Sequence, residues 1–175
     1  VFMGLVTLIK TLLHRYTGQT DLTVGSPVAG REDPAWEHTV GFFINTIVIR
    51  DEIDPDGDVH GLLQQVRQSC LESFAHQAYP FDQLVDDLQL ERDLSRHPLF
   101  DVSIQHRPRE GSTPHLQGLS IEPLPHQQIP LKCDLSFDFG EEPDGLVCSL
   151  TYNPELFSAE RIERMGRHLS VLAEA

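Results

Sequence analysis

Residues 133 to 152 read Cys133-Asp134-Leu135-Ser136-Phe137-Asp138-Phe139, a turn from Gly140 to Gly145, and Leu146-Val147-Cys148-Ser149-Leu150-Thr151-Tyr152. Cys133, Leu135, Phe137 and Phe139 alternate with polar residues on the first arm, and Leu146, Cys148, Leu150 and Tyr152 do so on the second. Side chains two apart on a strand share a face, so this stretch predicts a β-hairpin with one buried side. The same period recurs upstream, where Phe100, Val102 and Ile104 alternate with Asp101, Ser103 and Gln105. Phe42 to Arg50 is nearly continuous in apolar and β-branched residues, which predicts a strand buried on both faces. Asp21 to Gly25 reads as a short strand.

Between these strands the period lengthens to that of a helix. Phe2, Leu5, Val6, Ile9, Leu12, Leu13 and Tyr16 follow three-four spacing, with Gly18 as the stop. Val59, Leu62, Leu63, Val66, Cys70, Leu71 and Phe74 form a second stripe after an acidic turn from Asp51 to Asp58. Pro80 suits the first turn of a short third helix with Phe81, Leu84, Val85 and Leu88 inside. Ser158 caps a last helix whose Ile162, Met165, Leu169 and Leu172 point inward. Ser26 to Pro34 carries two prolines and a glycine and predicts a shaped loop. Arg107 to Leu131 shows little periodicity beyond a stretch at Leu119 to Pro123 that fits a short strand. The expected fold class is α/β: an α+β two-layer sandwich in which helices pack on one mixed sheet.

At 175 residues the chain fits one domain, and 39% hydrophobic residues supply a core. The formal charge of −14 repels a phosphate backbone, so nucleic acid is not expected as a partner. No apolar run reaches the length of a membrane span, so no membrane partner is expected and the predicted location is cytoplasmic. Three cysteines without CxxC spacing predict buried thiols in a reducing compartment. The sequence opens and closes in helical pattern, as a piece of something larger would.

Catalytic constellations are scarce. The nine histidines form no HxH, HExxH or HxxxH pair, so no metal site is expected, and His14, His60 and His168 read as surface imidazoles. Ser26, in Val24-Gly25-Ser26-Pro27-Val28, lacks the second glycine of a nucleophile elbow. Asp86 and Asp87 are adjacent on a helix, do not face one another, and read as a solvated face. No complete catalytic set emerges.

Three stretches are more particular: Val40-Gly41-Phe42-Phe43-Ile44-Asn45-Thr46 with Arg50, His76-Gln77-Ala78-Tyr79-Pro80-Phe81-Asp82, and Arg92-Asp93-Leu94-Ser95-Arg96-His97-Pro98-Leu99-Phe100. In this order and spacing they resemble motifs in the C-terminal half of nonribosomal peptide synthetase condensation domains. Tyr16 to Asp21 with Val24 to Arg31, and Tyr152-Asn153-Pro154-Glu155-Leu156-Phe157, are similar to flanking segments of that family.

The resemblance implies one chloramphenicol-acetyltransferase-like subdomain of a two-lobed domain, with residues 1–175 as the C-terminal lobe. It implies amide-bond formation, in antibiotic biosynthesis and secondary metabolism, between thioesters held on the 4'-phosphopantetheine of donor and acceptor peptidyl carrier proteins, with no cofactor bound directly. The implied neighbours are an N-terminal condensation subdomain and an adenylation domain. The family's His-His-x-x-x-Asp-Gly signature is absent from this chain, so no catalytic residue is expected in it, and alone it is expected to be inactive and to expose a surface its companion covers. Ser26, Asn45, Thr46, Ser103 and Gln105 are the substrate-tunnel candidates. Asn45 and Thr46 either line the tunnel or satisfy nearby backbone groups. Gly41, Arg50, Pro80, Phe81, Arg92, Asp93, Arg96 and Pro98 are structural motif residues. Ser26 to Pro34 is expected to floor the tunnel and Arg107 to Leu131 to contribute to the latch across to the other lobe. The chain ends its Pro-Leu-Phe strand with Gln105-His106 where many members carry Gln-Asn. The Pro80-Phe81-Asp82 and Ser95-Arg96-His97-Pro98 spellings are similar to members that join L-configured donors. A docking module of the same fold that binds without turnover, and a free-standing acyltransferase with its own histidine, are the alternative readings.

Overall fold

The computed structural model describes residues 1–89, 96–108, 118–119 and 131–175. Among them, ten elements run in the order α1 (Phe2–Thr17), β1 (Asp21–Val28), a 3-10 turn (Pro34–Trp36), β2 (Asn45–Glu52), α2 (Val59–Ala75), α3 (Phe81–Asp87), β3 (Val102–Arg107), β4 (Leu135–Glu142), β5 (Gly145–Tyr152) and α4 (Ala159–Glu174). The strands form one mixed sheet in the order β2-β1-β3-β4-β5. β1 runs antiparallel to β2 and parallel to β3, and β4 runs parallel to β3 and antiparallel to β5. Helices α1, α2 and α4 cover one face, α2 over β2, α4 against β5 and α1 between them. The two-layer α/β expectation holds.

The alternation that predicts the hairpin also selects its buried face. Leu135, Phe137 and Phe139 stand opposite Tyr152, Leu150 and Cys148 and face the helices, where they join Leu22, Val24, Ile47, Ile49 and Ile104 in the core. α1 contributes Val6, Ile9 and Leu12, each at most 1% exposed. Gly18 ends α1 at φ 73 with its N–H on the His14 carbonyl, a left-handed cap that glycine adopts at little cost. Ser158 accepts from the Arg161 N–H at the start of α4, as its position in the sequence predicts.

Several boundaries differ from the sequence reading. β1 continues through Val28, so Ser26, Pro27 and Val28 are strand and not loop. Pro27 is tolerated there because it lies beyond Gly25↔Ser103, where β1 meets β3, so its missing N–H breaks no bond on that side. β2 begins at Asn45 rather than Phe42 and takes in Asp51 and Glu52 from the expected acidic turn. It buries Ile47, Ile49 and Asp51 on the face that α2 covers, whereas Thr46, Val48 and Arg50 face the side that the shorter α3 covers only in part. The hairpin turn shrinks to Pro143 and Asp144, since Gly140 to Glu142 pair with β5.

On α2, Val59 and Leu71 are exposed although the stripe includes them, because Val66 and Cys70 set the face that meets α1. Leu88 ends α3 half exposed, not inside, and Pro80 sits just before the first turn as its cap. Leu119 is exposed and belongs to no element, and the rest of Leu119 to Pro123 lies outside the described residues. Cys70 is buried as expected, whereas Cys133 and Cys148 are half-buried, and all three thiols are free.

Candidate functional site

Parallel strands that end together create a rim of loops, and open α/β sheets bind ligands outside those carboxyl ends. Here β1, β3 and β4 are mutually parallel. Their carboxyl ends carry the 29–44 connection, His106 and Arg107 of β3, and Glu141 of β4. β2 runs the other way, so its first residues, Asn45 and Thr46, start at this same end.

Most of the tunnel candidates gather here, but on two faces. Ser26 is buried on the helix side between Val24 and Val28, opposite Ile47. Asn45 is on the same side, and its amide is engaged by backbone: Nδ2 donates to the Gln77 carbonyl at 2.8 Å and the Tyr79 carbonyl at 2.7 Å, while Oδ1 accepts from the Phe81 N–H at 3.1 Å. It therefore holds the turn that carries the chain from α2 around the β2 edge to α3. Thr46, Ser103 and Gln105 are half-buried on the opposite face. Thr46 stands beside Pro27, and Gln105 beside Asp138.

That second face is polar over β3, β4 and β5. Ser103 donates to Ser136 Oγ at 2.8 Å and accepts from the Cys133 thiol at 3.3 Å. Arg107 Nε donates to Asp138 at 3.0 Å. Behind it, toward the helices, His106 Nε2 lies 3.0 Å from Glu141 with the imidazole 12% exposed. Beyond the expected latch role of Arg107, the sequence does not single out Asp138 and Glu141 as its and His106's partners. Their signal was the parallel pairing of β3 with β4, which spacing alone does not reveal.

Over β1 and β2 the same face is covered. Phe81, His97 and Phe100 stack with centroids 4.1 to 5.9 Å apart. Phe100 lies on Gly25, where a Cβ would come within 2.2 Å of its ring. Thr23 Oγ1 donates to the Leu99 carbonyl at 2.8 Å, which holds Leu99 at φ 71. A cavity of about 380 Å³ remains between α3 and the sheet, walled by Val48, Leu84, Leu88 and Leu99. Arg50 at its edge forks onto Asp21, with Nε and Nη2 at 2.8 and 2.6 Å. The Arg50 hydrogen bond holds the exposed Asp21 carboxyl below its usual range. Arg96 forks onto Asp101, and Pro98 is exposed in the turn before Phe100. Arg92 and Asp93 lie outside the described residues. Asp87 is no bare solvated carboxylate, because it accepts the Tyr79 hydroxyl. That bond, more than burial, raises the phenol above its usual range.

The 29–44 connection is locked by its own contacts. Arg31 sits 4.3 Å over the Phe43 ring and donates to the Trp36 and Thr39 carbonyls, the latter at 2.9 Å. Trp36 stacks on Phe43 at 6.0 Å. Gly30, at φ 65, lets the Phe43 carbonyl approach, since a Cβ there would lie 1.9 Å from that oxygen. Gly41 is tight against the same ring, its Cβ position 2.8 Å away. Val40, Phe42 and Ile44 project outward, 100%, 89% and 57% exposed.

One buried charge cluster lies away from the rim. Lys10 and Asp51 are both fully buried and pair at 2.5 Å, Lys10 also donates to the Leu22 and Ile49 carbonyls, and Ser69 donates to Asp51 at 2.6 Å. Burial outweighs Asp51 and lowers the Lys10 pKa. This network joins α1, β1, β2 and α2 with every polar atom satisfied. Among the described residues there is no cluster of three or more histidine, cysteine or acidic side chains that could hold a metal, and no helix long and apolar enough to cross a membrane.

Comparison with known proteins gives a consistent result. The Condensation domain family model matches residues 1–175. Bacitracin synthase 3 of Bacillus licheniformis is 39% identical over 176 residues, covering all of this chain and 3% of that protein. A holo four-domain nonribosomal peptide synthetase, AB3403, solved with AMP and glycine, superposes with a TM-score of 0.86 at 28% identity, over 99% of this chain and 14% of its own. The X-domain from teicoplanin biosynthesis superposes at 0.87 and 26% identity, over 98% of this chain and 40% of its own. The same X-domain in complex with OxyB gives 0.83, over 97% and 38%. The chain thus spans a small fraction of the synthetases and about two fifths of a solved X-domain.

Proposed function

The chain belongs to the condensation-domain family, and from that premise we propose that it is the C-terminal lobe of a two-lobed domain that forms the amide bond between two carrier-bound thioesters. The acceptor amine attacks the donor thioester carbonyl, a C–N bond forms, the C–S bond breaks, and the amine proton passes to the released thiolate. General acid–base help contributes about 10²–10⁴-fold to such steps. No His-His-x-x-x-Asp-Gly stretch occurs in these residues, so that imidazole comes from the companion N-terminal lobe. This lobe supplies the wall and floor. Thr46 and Gln105 offer hydrogen bonds to the pantetheine arms and peptide carbonyls, Ser103 offers a free lone pair since its O–H is given to Ser136, Asn45 fixes the 77–81 turn, and the 29–44 loop lies beneath. The latch expected from Arg107 to Leu131 lies mostly outside the described residues. Substrates arrive on the phosphopantetheine of donor and acceptor carriers, loaded by a neighbouring adenylation domain in the cytoplasm.

A single observation supports this reading: the rim at the carboxyl ends of β1, β3 and β4 collects hydrogen-bonding side chains, with no nucleophile–base pair among the described residues. The test is dipeptidyl-thioester formation from loaded carriers. The 175-residue chain alone should give none, and the two lobes together should give product. Product from these residues unaided would refute the division of labour.

The likeness to the teicoplanin X-domain, solved in complex with OxyB, favours a second reading as a docking module. It predicts a complex of both lobes that binds a partner enzyme and forms no amide bond.

A further inference from the structure

We infer that Arg107 and Asp138 form a specificity subsite that accepts the primary carboxamide side chain of a carrier-bound aminoacyl group; this rests on the amide-forming reading above. Ile104 of β3 and Phe137 of β4 fill the helix side of the sheet, so alternation turns Arg107 and Asp138 to the opposite, polar face. Asp138 has Gln105 beside it on β3 and Ser149 on β5, and Arg107 stands beside Gly140. A Cβ at Gly140 would meet nothing within 4 Å, so the guanidinium has open space next to it. The hydrogen bonding inside the pair is incomplete, and two other pairs of this chain show a complete one. Arg50 gives Nε and Nη2 to the two oxygens of Asp21, and Arg96 gives the same two groups to those of Asp101. Arg107 gives only Nε, to Oδ1 of Asp138 at 3.0 Å. Among the described residues its Nη groups and Asp138 Oδ2 take no further bond. A fork spent on both oxygens is a structural tie, whereas one held by a single N–H keeps donors and an acceptor for a ligand.

The charges of the pair define what it takes. One head is a cation and the other an anion, so the site as a whole is neutral. A carboxylate drawn to Arg107 meets Asp138, and an ammonium drawn to Asp138 meets Arg107, so each ion is opposed by one of the two heads. A primary carboxamide carries no net charge and holds its acceptor oxygen and its N–H2 donor on one carbon. Its oxygen accepts from an Arg107 Nη while its N–H2 donates to Asp138 Oδ2, and both bonds are charge-assisted. A backbone amide does not suit the pair, because its trans geometry points the N–H and the C=O in opposite directions. A hydrocarbon side chain forfeits both bonds. Glutaminyl and asparaginyl groups are therefore the preferred cargo, and the donor and acceptor carriers are the two sources that could present them.

The experiment measures binding and then turnover with the complete two-lobed domain. Glutaminyl-, glutamyl-, lysyl- and methionyl-pantetheine, with an amide in place of the thioester, are titrated by calorimetry. The glutaminyl compound should bind about tenfold more tightly than the other three, as expected for charge-assisted hydrogen bonds at a solvent-accessible site. Asp138→Asn leaves the Arg107 charge unopposed and should move the preference to the glutamyl compound. Arg107→Gln leaves Asp138 unopposed and should move it to the lysyl compound. Equal affinities in the parent domain, or a glutaminyl preference that survives both variants, would overturn the inference. Amide formation from carriers loaded with glutamine or methionine, one carrier varied at a time, then assigns the source. The subsite serves the carrier on which kcat/KM favours glutamine and loses that preference in both variants. Turnover with no glutamine preference on either carrier rejects the subsite and leaves the proposed activity standing, and a glutaminyl binding preference without turnover does the reverse.

Discussion

Replacing Asp51 by Asn removes the counter-charge and leaves the buried Lys10 ammonium with neutral acceptors only, the Leu22 and Ile49 carbonyls at 3.3 and 2.9 Å and the amide oxygen of the new side chain. Breaking a buried pair by removing one member costs about 3–5 kcal/mol. An independent ceiling comes from titration: the lysine can escape by losing its proton, which at pH 7 costs about 4.8 kcal/mol, at 1.36 per pH unit below its ordinary 10.5. The two figures agree. For a domain of this size the loss appears as a drop in Tm of about 6–20 °C. The pH dependence identifies the mechanism. Once Lys10 is neutral in the folded variant, the unfolded chain binds one more proton, so stability rises with pH up to about 10.5. The penalty of Asp51→Asn should therefore shrink by about 1.4 kcal/mol for each pH unit gained. The double variant Lys10→Met, Asp51→Leu removes both charges and should recover most of the loss, apart from the orphaned carbonyls and Ser69. Urea denaturation between pH 7 and 9 measures all three chains. A pH-independent penalty, or a double variant as unstable as Asp51→Asn, refutes the reasoning.

Gly30→Ala should destabilise by about 1–3 kcal/mol, from a strained backbone and collision with the Phe43 carbonyl; an unchanged urea midpoint would show that the loop simply opens. Asn45→Ala removes three hydrogen bonds to the 77–81 turn and should cost about 1.5–4 kcal/mol while speeding exchange of the Phe81 amide. Without faster exchange at Phe81 the anchoring account fails. Burial pushes the Cys70 and Cys148 thiols up to about 11, so at pH 8 each should react with iodoacetamide about 100-fold more slowly than an ordinary thiol. Mass-resolved labelling of Cys70 at an ordinary rate would contradict its burial in the folded chain.

What the sequence displayed was everything carried by local period. Alternation at 133–152, three-four spacing in α1 and α4, and the Gly18 and Ser158 caps gave the elements, because helix and strand periods are written into which residues avoid water. The motif resemblance told the family. The limits of local reading show at Phe42 to Arg50, where an apolar run predicts burial on both faces. The chain shifts that strand to Asn45, places it at the sheet edge and leaves Val40, Phe42 and Ile44 outside. Lys10 was visible within the apolar stripe between Val6 and Leu13, and Asp51 continued the alternation of Ile47 and Ile49. Their pairing across 41 residues was not visible, because sequence periodicity reports each element's own buried face and says nothing of which faces meet. The candidate site belongs to that second category. Only the parallel pairing of β3 with β1 and β4 brings Thr46, Gln105, His106 and the 29–44 loop to one end of the sheet, since strand order and direction are settled by packing between distant segments.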